Sequence, residues 1–296
     1  MTYPQDDPYA SHRVIDAPPA PVIVAEAVPE PISRRIPLLP VLLFLATCWT
    51  TTQIGGFWYS ASVMFILTAH ELGHYIQARR YHVPASLPYF IPIPAPPLGT
   101  MGAVIGMRGY MGDRKALFDI GISGPLAGLV PTLICCIVGL QYSTVVDAPP
   151  PGAGSGMGEL GEPLIFQLLA YLTFGSLPEG KTVMLGAMAY AGWVGIFITA
   201  LNLMPIGQLD GGHVLYAILR RKAHIVASLL LAAAIAAVLW TQSYQWLLML
   251  FLLVLMGPNH APTANDDVPL GTPRVILGWL TLAFVVIGFT PRPFAM

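Results

Sequence analysis

The chain has 296 residues, 55% of them hydrophobic and only 10% charged, with a mean hydropathy of +0.67 and a net charge of −1. Soluble domains carry about 25% charged residues, so this composition excludes an ordinary soluble globule and describes an integral membrane protein. The near-neutral balance offers no basic face for nucleic acid.

Residues 1–33 are rich in Pro, Ala and Val, contain no run long enough to span a bilayer, and read as a partly polyproline cytoplasmic tail. Arg34-Arg35 precede the first apolar run, about 37–52, within a first transmembrane helix assigned to 34–56. A second run begins near Phe57 and ends at Arg79-Arg80. Basic residues flanking both runs place these flanks on the cytoplasmic side. The second run contains Thr68-Ala-His-Glu-Leu-Gly-His-Tyr75. On a helix, His70 and His74 share one face, the spacing with which two imidazoles hold one zinc ion. Glu71 lies beside that pair, where a carboxylate can take a proton from a water that the metal has acidified. Ionisable groups at the centre of a membrane helix cost roughly 2.5–3.5 kcal/mol on insertion scales, so two His and a Glu in one turn require a reason beyond packing. His74 is about 7–8 Å of helical rise from Arg79 and His70 about 6 Å deeper, so the metal lies inside the bilayer, nearer the cytoplasm.

Residues 84–110 do not read as a span, because Pro84, Pro88, Pro92, Pro94, Pro96 and Pro97 forbid a regular helix. The alternation in 99–108 predicts a strand within a re-entrant or interfacial loop, whose edge can pair with an extended peptide; the other reading of this stretch is a proline-rich interfacial connector that does not touch substrate. Arg114-Lys115 open a third span, about 116–140, with Gly121, Gly124 and Gly128 forming a small-residue seam. Asp119, in its first turn, reads as structural. An external loop follows over 141–163, and 164–178 is short for a span and reads as interfacial. The next span is 182–204.

That run breaks at Asn202-Leu-Met-Pro-Ile-Gly-Gln-Leu-Asp-Gly-Gly-His213. Pro205 and the glycines unwind it, and Asp210 lies roughly 15 Å from the basic flank at Arg220, a depth like that of His70. Two His and one Asp give three ligands with an open fourth position. Asn202 is a candidate donor to a developing oxyanion or a satisfier of the broken backbone. His213 is expected to pack or to support the site from outside the ligand set. Further spans fall near 223–240, 243–257 and 275–290. His82, His224 and His260 sit in or beside loops and carry no expected role. Cys48, Cys135 and Cys136 lie in apolar runs, without disulfide or zinc spacing.

Three separated motifs together resemble the site-2 protease family of intramembrane zinc metalloproteases, peptidase family M50. They are His70-Glu71-x-x-His74, Ser123-Gly-Pro-Leu-Ala-Gly128, and Asn202-x-x-Pro205 leading to Leu209-Asp210-Gly211. The resemblance covers about residues 60–220. It implies one zinc ion held by His70, His74 and Asp210, Glu71 as general base, and Asn202 stabilising the tetrahedral intermediate. It further implies single-pass membrane proteins as substrates. No PDZ insertion or CBS module is evident, which is similar to the smaller plastid and bacterial branch. The expected fold is an all-α polytopic membrane protein of about seven transmembrane helices, with a three-helix catalytic core within 57–222, a re-entrant strand or loop, and C-terminal helices over 223–296. The expected setting is a bacterial inner membrane with the N-terminus cytoplasmic. Two other readings stand beside it: a non-catalytic metal-binding adaptor, and a membrane-bound metalloprotease acting on soluble substrates. The latter usually draws a third ligand from a downstream Glu on a polar helix, whereas Glu159, Glu162 and Glu179 fall in external segments.

Overall fold

A computed structural model describes residues 37–107, 111–148 and 160–294. The Pro-rich segment 1–33, Arg34-Arg35, Arg108 and Glu159 lie outside the described residues. The described chain is predominantly helical, in the order α1 (Leu38–Arg80), β1 (Tyr89–Pro92), β2 (Thr100–Val104), α2 (Arg114–Gln141), β3 (Thr144–Asp147), α3 (Leu164–Phe174) and β4 (Lys181–Met184). There follow α4 (Ala187–Asn202), α5 (Asp210–Leu219), α6 (Lys222–Thr241), a 3-10 turn (Tyr244–Trp246), α7 (Leu247–Met256) and α8 (Thr272–Gly288).

Helix α1 is not a rod. Gly56 adopts φ 76° and ψ −177°, a conformation open to glycine because it has no Cβ. The Ser60 hydroxyl donates to the Cys48 carbonyl at 3.0 Å and lies 2.8 Å from the Thr51 hydroxyl. Twelve residues of straight helix would separate Cys48 from Ser60 by about 18 Å, so the two limbs double back on each other. Phe44, Cys48 and Thr52 of the first limb face Ser60, Met64 and Thr68 of the second across a shallow groove. The two apolar runs expected on either side of residues 53–56 are these limbs.

Three helices, α1, α2 and α6, are long and apolar enough to cross a membrane by length and composition. The remaining apolar helices, α3, α4, α7 with its 3-10 turn, and α8, are shorter. The expected span over 182–204 begins later than its hydropathy implies. Its first residues form β4, which pairs with β3 from Thr144↔Met184 to Asp147↔Lys181, and α4 then runs for 16 residues from Ala187. The run at 164–178 contains the 11-residue α3, too short to span.

The all-α expectation needs amending, because two antiparallel hairpins are present. The strand expected after Gly99 is β2, and it pairs with β1. The prolines hid β1: Pro92 ends that strand at a register shift, a place where a missing N–H costs no ladder bond. The Thr50 hydroxyl donates to the Gly99 carbonyl at 2.7 Å and the Tyr59 hydroxyl to Leu98 at 2.8 Å, fastening this hairpin to both limbs of α1.

Helix α2 is the centre of the bundle and packs on α1, α4 and α5. Against α4 it makes a close seam in which a Cβ on Gly192 would collide with Cys136, and one on Gly195 with Thr132. Cys135 and Cys136 are buried free thiols. A ladder of Tyr59, Tyr190, Trp193 and Phe197, with centroids 5.1, 6.1 and 5.5 Å apart in turn, joins α1 to α4. Large apolar side chains such as Leu42, Phe65, Leu229, Leu239 and Phe251 point outward.

Candidate metal centre

The second limb of α1 presents His70 and His74 one helical turn apart, both buried. The break after α4 brings Asp210, the first residue of α5, against them. Asp210 Oδ2 lies 3.1 Å from His70 Nε2, Asp210 Oδ1 lies 3.3 Å from His74 Nε2, and the two Nε2 atoms are 3.1 Å apart. One ligand atom from each residue falls within 4.8 Å of the others, the one such group of three or more among the described residues.

These separations fit a zinc ion. Tetrahedral ligands with bonds of about 2.1 Å are about 3.4 Å apart. The protonation pattern agrees as well. His74 Nδ1 lies 2.8 Å from the Ile120 carbonyl, which can only accept, so Nδ1 carries the proton and a neutral ring turns a bare Nε2 to the centre. The bare His74 Nε2 and the Asp210 carboxylate converge on one point with His70 Nε2, an arrangement of donor atoms that a cation stabilises.

The glycine seam of α2 makes room for the rings. A Cβ on Gly124 would collide with His74 Nε2, and one on Gly128 would stand 3.0 Å from His70 Cβ. Gly121, a turn earlier, would meet His213 Cβ at 2.9 Å. The same three glycines read from sequence as a helix-packing seam thus also shape the histidine side of the centre. Behind Asp210, Gly211 and Gly212 let α5 pack on the Leu203 and Gly207 carbonyls, where any side chain would collide.

Glu71 is buried at 5% exposure on the same turn as His70. Asn202, the last residue of α4, brings Nδ2 to 3.4 Å from His70 Nε2. His70, Glu71, His74, Asn202 and Asp210 therefore gather in one place, while Asp119 does not join them. Its carboxylate receives two 2.8 Å bonds from Arg274 and one of 2.5 Å from the Tyr81 hydroxyl, tying α8 to the start of α2 and the end of α1.

Sequence reasoning missed a second histidine group. His213 Nδ1 lies 2.6 Å from His260 Nε2, and His224 Nε2 lies 3.1 Å from the His260 carbonyl. The His260 ring stacks on Tyr216 at 4.6 Å. Burial holds the His260 imidazole below its ordinary range, despite the nearby Ala261 carbonyl. His260 belongs to the segment 257–271 between α7 and α8, and no periodicity in that loop could have announced its contact with α5.

Buried side chains that could hold a metal ion, within a bundle of apolar helices, point to a membrane-associated metalloprotein, and comparison with known proteins supplies the family. The model of peptidase family M50 matches residues 58–241, more than half of the chain, and the chain belongs to that family. It is 30% identical over 238 residues to a probable chloroplastic zinc metalloprotease, EGY1, of Arabidopsis thaliana, which covers 77% of this chain and 42% of that protein. It is likewise 30% identical to the probable chloroplastic zinc metalloprotease EGY2 of the same plant, over 78% of this chain and 41% of that one. Against the EGY1 counterpart of Oryza sativa the identity is 30%, over 77% of this chain and 39% of the relative. The chain thus spans about two-fifths of the length of these relatives. No solved structure matches.

Proposed function

We propose that the chain is an intramembrane zinc metalloprotease, hydrolysing peptide bonds within or next to the transmembrane segments of membrane-anchored proteins. The carrying observation is the convergence of His70, His74 and Asp210 beside buried Glu71 in a bundle of apolar helices. His70, His74 and Asp210 are the ligands. Held there, a zinc ion would supply Lewis acidity and lower the pKa of a water to about 7. Glu71 is the base that takes the water's proton and later delivers it to the leaving amine. Asn202, with its amide at the His70 edge of the centre, is placed to donate to the oxygen on which negative charge develops. The low-polarity surroundings from α1, α2 and α4 strengthen each of these interactions.

A membrane helix hides its carbonyls in internal hydrogen bonds, so a substrate segment must unwind before cleavage. The β1–β2 hairpin, fastened to α1, offers a two-stranded sheet edge to which an extended, single-pass substrate segment can add. We place the chain as a multi-pass protein with Arg79-Arg80 and Arg220-Arg221-Lys222 at the cytoplasmic face, a topology supported by the basic flanks, in a bacterial inner membrane. The chloroplast location in the relatives' names belongs to those proteins. The catalytic core is 57–222, followed by C-terminal helices over 223–296.

Wild type and Glu71→Gln, expressed side by side, test the proposal. Endogenous single-span membrane proteins should accumulate uncut in the variant, while both purified proteins hold about one zinc per chain. Equal membrane proteomes with zinc in both would favour the adaptor or the soluble-substrate reading. No zinc in either would overturn the ligand assignment.

A further inference from the structure

The loop 257–271 lies beyond the residues matched by the family model, and it straps the helix that carries Asp210. At its start, the Gly257 carbonyl sits so close to Gly207 that no side chain fits there. At its end, the Tyr216 hydroxyl donates to Asp266 Oδ2 at 2.7 Å, and buried Arg114 links the Ala217 carbonyl at 2.7 Å with the Asp266 and Val268 carbonyls, each at 3.4 Å. Between these points His260 reaches His213, one turn after Asp210 on α5.

The hydrogen-bond directions in this strap are forced. His260 Nδ1 lies 2.5 Å from the Ala261 carbonyl, an acceptor only, so Nδ1 carries the proton. Neutral His260 then has a bare Nε2, and the 2.6 Å contact requires a proton on His213 Nδ1. Two nitrogens this close cannot both ligate one metal ion, since tetrahedral geometry holds them about 3.4 Å apart. His213 Nε2 is left bare. No hydrogen bond to His213 Nε2 is made among the described residues. Free histidine prefers the opposite tautomer, with the proton on Nε2.

We propose that His260 is a positioning residue for the metal centre: it holds His213 in the Nδ1–H tautomer and through it fixes the first turn of α5, from which Asp210 reaches His70 and His74. The inference rests on the ligand assignment above. A carbonyl orders His74 in the same manner inside the centre. Partners that orient a metal site from outside the ligand set typically change metal affinity 10–100-fold when removed.

The test uses the full chain in detergent, with ¹⁵N-labelled histidine, as wild type, His260→Phe and His260→Gln. Phe keeps a ring against Tyr216 and removes the acceptor, whereas Gln returns an acceptor oxygen. The His213 resonance, identified by its loss in His213→Phe, should report Nδ1–H in the wild type, shift toward Nε2–H in His260→Phe and recover in His260→Gln. Zinc release to a chelator should be about 10-fold faster in His260→Phe and near wild type in His260→Gln. An unchanged His213 tautomer in His260→Phe, or zinc release equal in Phe and Gln variants, overturns the proposal. If wild type holds no zinc, the ligand assignment fails and with it the link to Asp210, while the tautomer measurement on the same sample still decides the His260–His213 pair.

Discussion

Two histidine pairs sit along one glycine seam of α2 and do opposite things. His70 and His74, against Gly128 and Gly124, bring their Nε2 atoms within 3.1 Å of each other beside the Asp210 carboxylate. His213, above Gly121, instead meets His260 at 2.6 Å through a shared proton. The residue type is the same, so the difference comes from what holds the far side of each ring. A carbonyl on His74 Nδ1 leaves a lone pair facing the partner, whereas in His213 the protonated nitrogen is the one that faces the partner. Imidazole becomes a ligand or a link according to which nitrogen its surroundings protonate.

The largest effect that sharpens this contrast is expected from Asp210→Asn and His74→Ala. Each removes a proposed ligand, and zinc content measured on purified protein should fall from about one to near zero, with hydrolysis lost. His213→Phe should leave the stoichiometry near one. Zinc lost equally from all three would erase the distinction between the pairs. Next comes Glu71→Gln, for which loss of general acid–base catalysis predicts a fall in cleavage rate of about 10²–10⁴-fold at unchanged zinc content. A variant with full cleavage would remove Glu71 from the mechanism.

Gly124→Ala probes the seam itself. The added methyl collides with His74 Nε2, so zinc release should be at least about 10-fold faster, while Gly112→Ala, with open space around it, should match wild type. A smaller and purely structural effect is expected at Asp119→Asn. Weakening the Arg274 and Tyr81 bonds should lower unfolding stability by about 1–3 kcal/mol, read by thermal melting, with zinc content unchanged.

The smallest effect is a pH dependence of the strap. Burial depresses the His260 pKa, so its contribution is intact above the unfolded value of about 6.5 and is lost as pH falls from there through the folded value. Asp266 acts in the same direction at lower pH. Burial alone would raise its pKa, but the Tyr216 and Thr263 hydroxyls and Arg220 outweigh that and hold it below the usual range, so its contribution fades as pH drops below about 3.9. Cleavage of the 257–271 loop by an added protease should therefore rise between pH 7 and 5 in wild type and change less in His260→Gln. Flat cleavage in wild type would separate the strap from His260 charge.

The centre was legible because its parts are local or share a depth. His70, Glu71 and His74 lie within one helical turn, and Asp210 is marked by an unwound, glycine-rich break at a matching distance from a basic flank. The bend at Gly56 was legible as the gap between two apolar runs. Strand β1 was not, since Pro92 argues against a strand until the register shows that its missing N–H is not called on.

Sequence alone determined the apolar helices and the candidate ligands and base, because hydropathy and i, i+4 spacing are properties of the chain itself. Tertiary structure alone decided that Asn202 meets His70, that Asp119 serves Arg274 and not the metal, and that His260 reaches α5 across 47 residues from His213. Those outcomes depend on which rings and carbonyls the packing of α2 and the 257–271 strap bring within hydrogen-bond reach, and no periodicity along a chain encodes a contact between segments so far apart.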